Sequence, residues 1–304
     1  MGHGPGCRGG GRDGRQDGRV APRRPVAADA GSCYAQTMAK RFENQVVWIT
    51  GGGSGIGRAL ALGFADEGAA VAVSGRREDR LREVVQELEA RDAKGLAVRC
   101  DVTDEASVAE AVQKVVRTLG GLDVAVANAG FSVAGRIEKL SAADWRRQLD
   151  VNVIGTAMTA RYAIPHLRER KGRLALVGSV AAMVSTPGVG AYSASKYAVR
   201  AIGQALAVEL HGSGVTCTTI HPGYIESEIA QVDNQGRYDA SRKDGRPKNL
   251  MWPADRAARA MIDAIAKRKR EHTFTGHGKV GAFAGRHIPG VVHFGLTRGK
   301  SQKK

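Results

Sequence analysis

The sequence contains no apolar run approaching the roughly 18 residues that would suggest a membrane-spanning helix. Its N-terminus is basic but has no apolar core segment, so it does not read as a secretory signal. Cysteine is sparse: Cys7, Cys33, Cys100 and Cys217 are scattered, with no C-x-x-C pair and no histidine at ligand spacing. That pattern argues against a zinc site or a disulfide framework, and no other metal site is expected. It fits inert thiols in a reducing, cytoplasmic compartment. A recognition motif for nucleic acid is also missing.

The formal net charge is +16, and its distribution decides its meaning. Residues 1–41 carry eight Lys/Arg against three acids, and residues 237–304 carry seventeen against five. The stretch between them holds 21 bases and 22 acids, so the centre is neutral and the ends are basic. Basic ends attract polyanions in general, whether nucleic acid, anionic lipid or a phosphorylated ligand. They do not by themselves define a nucleic-acid-binding fold.

Residues 1–41 are rich in Gly and Arg without periodicity, the composition of a disordered extension. Met38, just ahead of the first strand, resembles a second starting point, so the residues upstream of it are an extension the native protein could lack. From Gln45 onward short apolar runs alternate with amphipathic stretches. Strands are predicted at 46–50, 69–75, 95–101, 122–130, 173–180 and 215–223. Helices are predicted at 56–67, 78–90, 105–119, 142–169 (one long helix), 191–211 and 253–270. Strands that are apolar throughout are buried on both faces, as in a parallel sheet. Repeated strand–helix units then imply an α/β fold, a Rossmann-like doubly wound parallel sheet in a single domain over residues 42–271.

The segment Thr50–Gly57, TGGGSGIG, closes the first strand and opens the first helix. Gly51, Gly55 and Gly57 free the backbone to approach a pyrophosphate, whose charge the helix N-terminus favours. A tight structural turn is the alternative for such a triplet alone, but the strand–turn–helix context is the confirming one. No acid stands at the end of the second strand to accept a ribose 2′-hydroxyl. Ser74-Gly75-Arg76-Arg77 is found there instead. Arginine can pair with a 2′-phosphate in a forked geometry, so NADP(H) is favoured over NAD(H). One of the two arginines is expected to be a solvated residue before the helix.

Tyr192 and Lys196 lie four apart on a predicted helix and so share a face, while Ser179 ends the fifth strand. A phenol, with an ordinary pKa of about 10, is a poor acid–base group at neutral pH. A neighbouring ammonium lowers that value, and a serine hydroxyl can hold the substrate oxygen.

Taken together, these motifs resemble those of the short-chain dehydrogenase/reductase family over roughly residues 43–225. TGGGSGIG is similar to its TGxxxGxG, implying cofactor contacts from Gly51, Ser54, Gly55, Ile56 and Gly57. Asp101-Val102 resembles its adenine-contacting pair. Asn128, Ala129 and Gly130 resemble its NNAG, with Ala127 in place of the first Asn. Pro222, Gly223 and Ile225 resemble the turn that shapes the nicotinamide pocket, and Ser227 stands where a Thr is usual. The resemblance implies Tyr192 as the acid–base group, Lys196 as the residue that lowers its pKa and binds the nicotinamide ribose, and Ser179 as the group polarising the substrate oxygen. Asn152 would complete a water-linked proton relay. It further implies a small carbonyl or alcohol substrate, a ketoreductase direction and a homodimer or homotetramer.

Substrate choice is expected in the segment after Gly223, whose residues 231–248 are polar and give no apolar signature. Met183, Val184 and Val189 could wall the pocket or simply pack their loop, and Tyr224 could flank the nicotinamide or fill space. Residues 272–304 mix Val, Ile and Phe with Arg, Lys and His. This C-terminal tail is expected to lie on an anionic membrane surface, pack on a neighbouring subunit or stay mobile. A dinucleotide sensor or scaffold and a polyanion-binding protein acting through its tails remain the alternatives to an enzyme.

Overall fold

The computed structural model describes residues 1–2 and 40–298, and residues 40–298 belong to one compact unit. The expected disorder of the N-terminal extension, with Cys7 and Cys33, falls on residues 3–39, outside the described residues, apart from residues 1–2, Lys40 and Arg41. Lys40 and Arg41 are ordered: Arg41 pairs with Glu67 and, at 3.3 Å, with Asp263, and Phe42 beside it is fully buried.

Seven parallel strands form one sheet: β1 (Val46–Thr50), β2 (Ala70–Gly75), β3 (Gly95–Arg99), β4 (Val124–Ala127), β5 (Arg173–Val177), β6 (Thr216–His221) and β7 (Glu271–Thr273). Their order is β3-β2-β1-β4-β5-β6-β7, which reverses direction at the β1–β4 boundary. That reversal opens a crevice beyond the carboxyl ends of the two strands, where ligands of open α/β sheets bind. The helices are α1 (Gly55–Asp66), α2 (Glu78–Glu89), α3 (Glu105–Leu119), α4 (Ala142–Leu149), α5 (Gly155–Glu169), α6 (Gly190–Glu209), α7 (Ala254–Ala266), α8 (Gly276–His287) and α9 (Pro289–Arg298). The doubly wound parallel sheet expected from the sequence is the observed architecture.

Strand alternation sorts the core into two layers. In β1, Val47 and Ile49 join Leu60 and Phe64 of α1, Leu81 of α2 and Met261 of α7 on one face. Val46 and Trp48 join Val108 and Val112 of α3, Leu167 of α5 and Val199 of α6 on the other. Side chains thus pack on both faces of an unbroken apolar run, as a parallel sheet requires.

Four differences from the sequence reading matter. First, the predicted 142–169 helix is interrupted: Asp150–Ile154 forms a π-helical turn between α4 and α5, placing Asn152 at an irregularity of the kind that recurs at functional sites. Second, β3, β4, β5 and β6 stop two to three residues before their predicted ends, and the residues beyond them form the loops that carry the site. Third, a seventh strand was not foreseen. It is three residues long and lies across the expected boundary at 271/272, so the sheet takes in the start of the supposed tail. Fourth, the rest of that tail up to Arg298 is helical. The predicted helix 253–270 likewise ends at Ala266, and Arg268 beyond it donates to the carbonyls of Gly172, Lys171 and Gly214.

Candidate active site

The crevice above β1 and β4 is a cleft of about 670 Å³. Its floor is the turn from β1 into α1. Gly57 is needed there for close approach: a Cβ would stand 2.1 Å from the Gly51 carbonyl and 2.7 Å from Asn128 Nδ2. Asn128 Nδ2 in turn donates to the carbonyls of Thr50 and Gly51 at 3.0 and 3.1 Å, fixing the turn against β4. No acid occupies the first turn of α1, so its exposed N–H groups are free to meet an anion. The predicted cofactor residues Gly51, Ser54, Gly55, Ile56, Gly57, Arg76, Arg77, Asp101, Val102, Asn128, Ala129 and Gly130 all line this cleft. Volume, glycine cradle and helix terminus together suit a dinucleotide.

Ser227 also lines the cleft, and a Cβ on Gly55 would lie 3.1 Å from the Ser227 Cβ, so this hydroxyl-bearing residue sits against the phosphate turn. The segment after Gly223, expected to carry substrate choice, straps this cleft, with Glu228, Ile229, Val232 and Gln235–Tyr238 among the lining residues.

Pro222, Gly223 and Ile225 do not line this cleft, and neither do Ser179, Tyr192 and Lys196; they gather past the ends of β5 and β6. Ser179 lies two residues past β5, where its Oγ accepts from the Ala181 N–H at 3.1 Å. Lys196 is 5% exposed and donates through Nζ to the Val177 carbonyl at 2.8 Å, with Nζ 5.7 Å from the Tyr192 ring centroid. Burial pushes Lys196 down to about 8. Burial also raises Tyr192, against the opposing influence of the Ser179 hydroxyl and the Arg246 charge.

Asn152 is fully buried. Its Oδ1 accepts from the Phe131 N–H, and its Nδ2 donates to the Phe131 carbonyl and to Ser195 Oγ, all at 3.0 Å. Ser195 Oγ donates to the Tyr192 carbonyl at 2.7 Å, so the amide at the π turn sets the height of the helix bearing Tyr192. The side chain of Asn152 is engaged with Phe131 and Ser195, and Ser195 is a partner the motif reading missed.

A second missed group supports Ser179 from behind. His221, fully buried at the end of β6, places Nδ1 3.1 Å from the Ser179 carbonyl and Nε2 2.8 Å from Glu271 Oε1. Nε2 has no hydrogen-bond partner among the described residues. Arg200 of α6 and Arg286 of α8 meet the same carboxylate oxygen. Nearby, Tyr224 stacks on His277 with ring centroids 5.5 Å apart, and its N–H donates to His277 Nε2 at 3.0 Å. A Cβ on Gly223 would stand 2.2 Å from that nitrogen, so glycine lets α8 close on this loop. Met183 is buried, and Val184 faces Gly285 of α8, so these two pack the loop against the C-terminal helix. The two described cysteines, Cys100 and Cys217, are free and buried, and desolvation pushes their thiols up to about 11 and about 12, which makes them poor nucleophiles.

The comparisons with known proteins agree with this geometry. The family model for short chain dehydrogenases matches residues 45–237. An uncharacterized oxidoreductase of Staphylococcus aureus (strain MRSA252) is 35% identical over 208 residues, covering 68% of this chain and 87% of the relative. A 3beta-hydroxysteroid dehydrogenase of Mediterraneibacter gnavus is 35% identical over 192 residues, 63% of this chain and 70% of its own. Among solved structures, a short chain dehydrogenase/reductase of Burkholderia phymatum in complex with NAD superposes with a TM-score of 0.74 at 26% identity, covering 84% of this chain and 96% of that one. A short chain dehydrogenase of Burkholderia cenocepacia J2315 in complex with NADP gives 0.70 at 29% identity, over 79% and 99%. The chain belongs to the short-chain dehydrogenase/reductase family. It is an oxidoreductase of that family.

Proposed function

We propose that this protein is an NADP(H)-dependent reductase of a small carbonyl compound. The observation that carries this reading is the grouping of Ser179, Tyr192 and Lys196 beside the nucleotide cleft. NADPH, when bound, supplies the hydride. The chain's own task is to hold the substrate oxygen and give it a proton: Ser179 donates a hydrogen bond to that oxygen. Tyr192 is the acid that gives the proton in reduction and the base that takes it in oxidation.

The NADP(H) preference rests on Arg76 and Arg77 at the end of β2, with no acid there to meet a ribose hydroxyl. Arg77→Ala is expected to weaken NADPH binding by about ten-fold, the loss of one charged hydrogen-bond partner, and to leave NADH nearly unchanged. Titrating both dinucleotides by fluorescence checks this; equal losses for both would remove the preference. Tight NADPH affinity without turnover on any carbonyl would instead favour a dinucleotide sensor.

The same reading includes a homo-oligomer and peripheral membrane contact. Val280, Phe283, Val291 and Phe294 on α8 and α9, and Ile288 between the two helices, are exposed near Lys279, Arg286 and Arg298, and residues 272–304 contain no acid. No helix among the described residues is long and apolar enough to cross a membrane. Truncation after Ile288, which spares β7 and α8, is expected to abolish co-sedimentation with anionic liposomes; unchanged sedimentation would remove the membrane assignment.

A further inference from the structure

The strap over the dinucleotide cleft carries an acid into the one place where the reading above puts a phosphate. Arg77 Nη2 donates to Glu228 Oε2 at 3.1 Å and to Ser54 Oγ at 3.2 Å. The Arg77 guanidinium also faces the Tyr238 ring at 5.9 Å, and Arg76 reaches the Gly236 carbonyl at 3.5 Å. On its other side the strap is tied to the rim of the cleft. Asn234 exchanges hydrogen bonds with the Ala134 backbone at 3.0 and 2.9 Å, and Arg147 donates to the Asn234 carbonyl at 2.9 Å. At its base Arg246 holds the carbonyls of Ile225 and Ser227 at 2.9 and 3.0 Å. Glu228 is therefore presented to Arg77 by a segment anchored at three points, not by a free side chain.

We infer that Glu228 is an internal competitor for the cofactor 2′-phosphate and sets how strongly this protein distinguishes NADP(H) from NAD(H). This rests on the reading that Arg77 meets that phosphate. A guanidinium already paired with a carboxylate has fewer donors to offer, and an acid held beside the pair repels an arriving phosphate dianion. A dinucleotide ending in a plain ribose carries no charge there and gains nothing from the removal of the acid. Binding of the phosphate requires Arg77 to exchange one anion for another. Every NADP(H) binding event thus loosens one of the strap's contacts with the β2 side, and NAD(H) binding leaves that contact in place. Glu228 lies on a polar segment with its side chain 29% exposed, so its substitution leaves the core untouched.

The test is a binding titration of NADPH and NADH by intrinsic and nicotinamide fluorescence on the wild type, Glu228→Gln, Arg77→Ala and the double variant. Glu228→Gln is expected to tighten NADPH by about two- to five-fold at low salt, the range of a half-exposed ion pair, and to leave NADH unchanged. Glu228→Lys should tighten it further, and the gain should shrink as salt screens the site. On the Arg77→Ala background the gain should shrink to the part that comes from direct repulsion between the acid and the phosphate. If Glu228→Gln leaves NADPH affinity unchanged or shifts both dinucleotides alike, while Arg77→Ala still selectively weakens NADPH, the competitor role is overturned and the phosphate reading stands. If Arg77→Ala leaves NADPH binding intact, the phosphate reading fails and the inference falls with it.

Discussion

Tyr192→Phe is expected to reduce carbonyl turnover by about two to four orders of magnitude, the range associated with a positioned proton donor, while leaving NADPH affinity within about two-fold. Phenylalanine keeps the ring and its packing on α6 and removes only the hydroxyl. The backbone contact from Ser195 to the Tyr192 carbonyl does not depend on the side chain, so the helix keeps its place. A parallel loss of cofactor binding and of thermal stability would indicate a structural role instead. The wild-type pH profile gives an independent check. Lys196 is depressed to about 8 by burial, so in the free protein it is charged at neutral pH and neutral above that value. If its charge assists the reaction, kcat/KM falls as pH rises through about 8. Stability runs the other way: between that value and the ordinary lysine pKa of about 10.4, the folded chain holds fewer protons than the unfolded one and gains stability with rising pH. Opposite slopes for activity and stability in one pH window would mark Lys196 as a group kept for function at a cost in stability.

The parts of this site that were legible in the sequence are those whose chemistry depends on local spacing. The β1–α1 turn announces itself because its glycines, strand and helix fall within eight residues. Tyr192 and Lys196 are legible because a helix puts positions four apart on one face. Boundaries were sharpest where a local signal marks them: α3 begins at Asp104, whose side chain caps Ala106, and ends at Gly120 with φ 86. The misses have the opposite character. The strand ends were overrun because Asp101, Asn128 and Ser179 lie in loops flanked by apolar residues, so composition gives no stop. The π turn at Asn152 is paid for by tertiary contacts to Phe131 and Ser195, more than twenty residues away in either direction. β7 is three residues long and reads EHT, too short and polar for any periodicity. The strap's place over the dinucleotide cleft rests on pairings such as Arg77 with Glu228, 151 residues apart, which no single-sequence pattern encodes.

Glu271→Ala is expected to cost about 3 kcal/mol of stability, because it strips the counter-charge from a cluster that includes a fully buried histidine. For a domain of this size that corresponds to a fall in Tm of roughly 6–12 °C. One carboxylate oxygen of Glu271 meets Arg200, Arg286 and His221, and therefore ties α6, α8 and β6 to the edge strand. His221 connects the cluster to the Ser179 carbonyl, so the damage should reach the active site: kcat falls even well below the melting temperature, while NADPH affinity, governed by the far side of the sheet, changes little. The pH dependence identifies the charge as the cause. The contact with His221, aided by Arg200 and opposed by burial, holds the Glu271 carboxyl well below the ordinary carboxylate range. A depressed folded-state value means the stabilisation is fully present above the unfolded pKa of about 4.3 and is lost as pH falls below it. Wild type and Glu271→Ala should therefore differ most at neutral pH and converge in acid, with Glu271→Gln lying between them at neutral pH. Melting curves from pH 3 to pH 7 decide the matter. Parallel curves with a constant gap would mean that the side chain acts through packing alone, and a gap below about 2 °C would mean that the cluster does not hold the C-terminal helix to the catalytic half of the sheet.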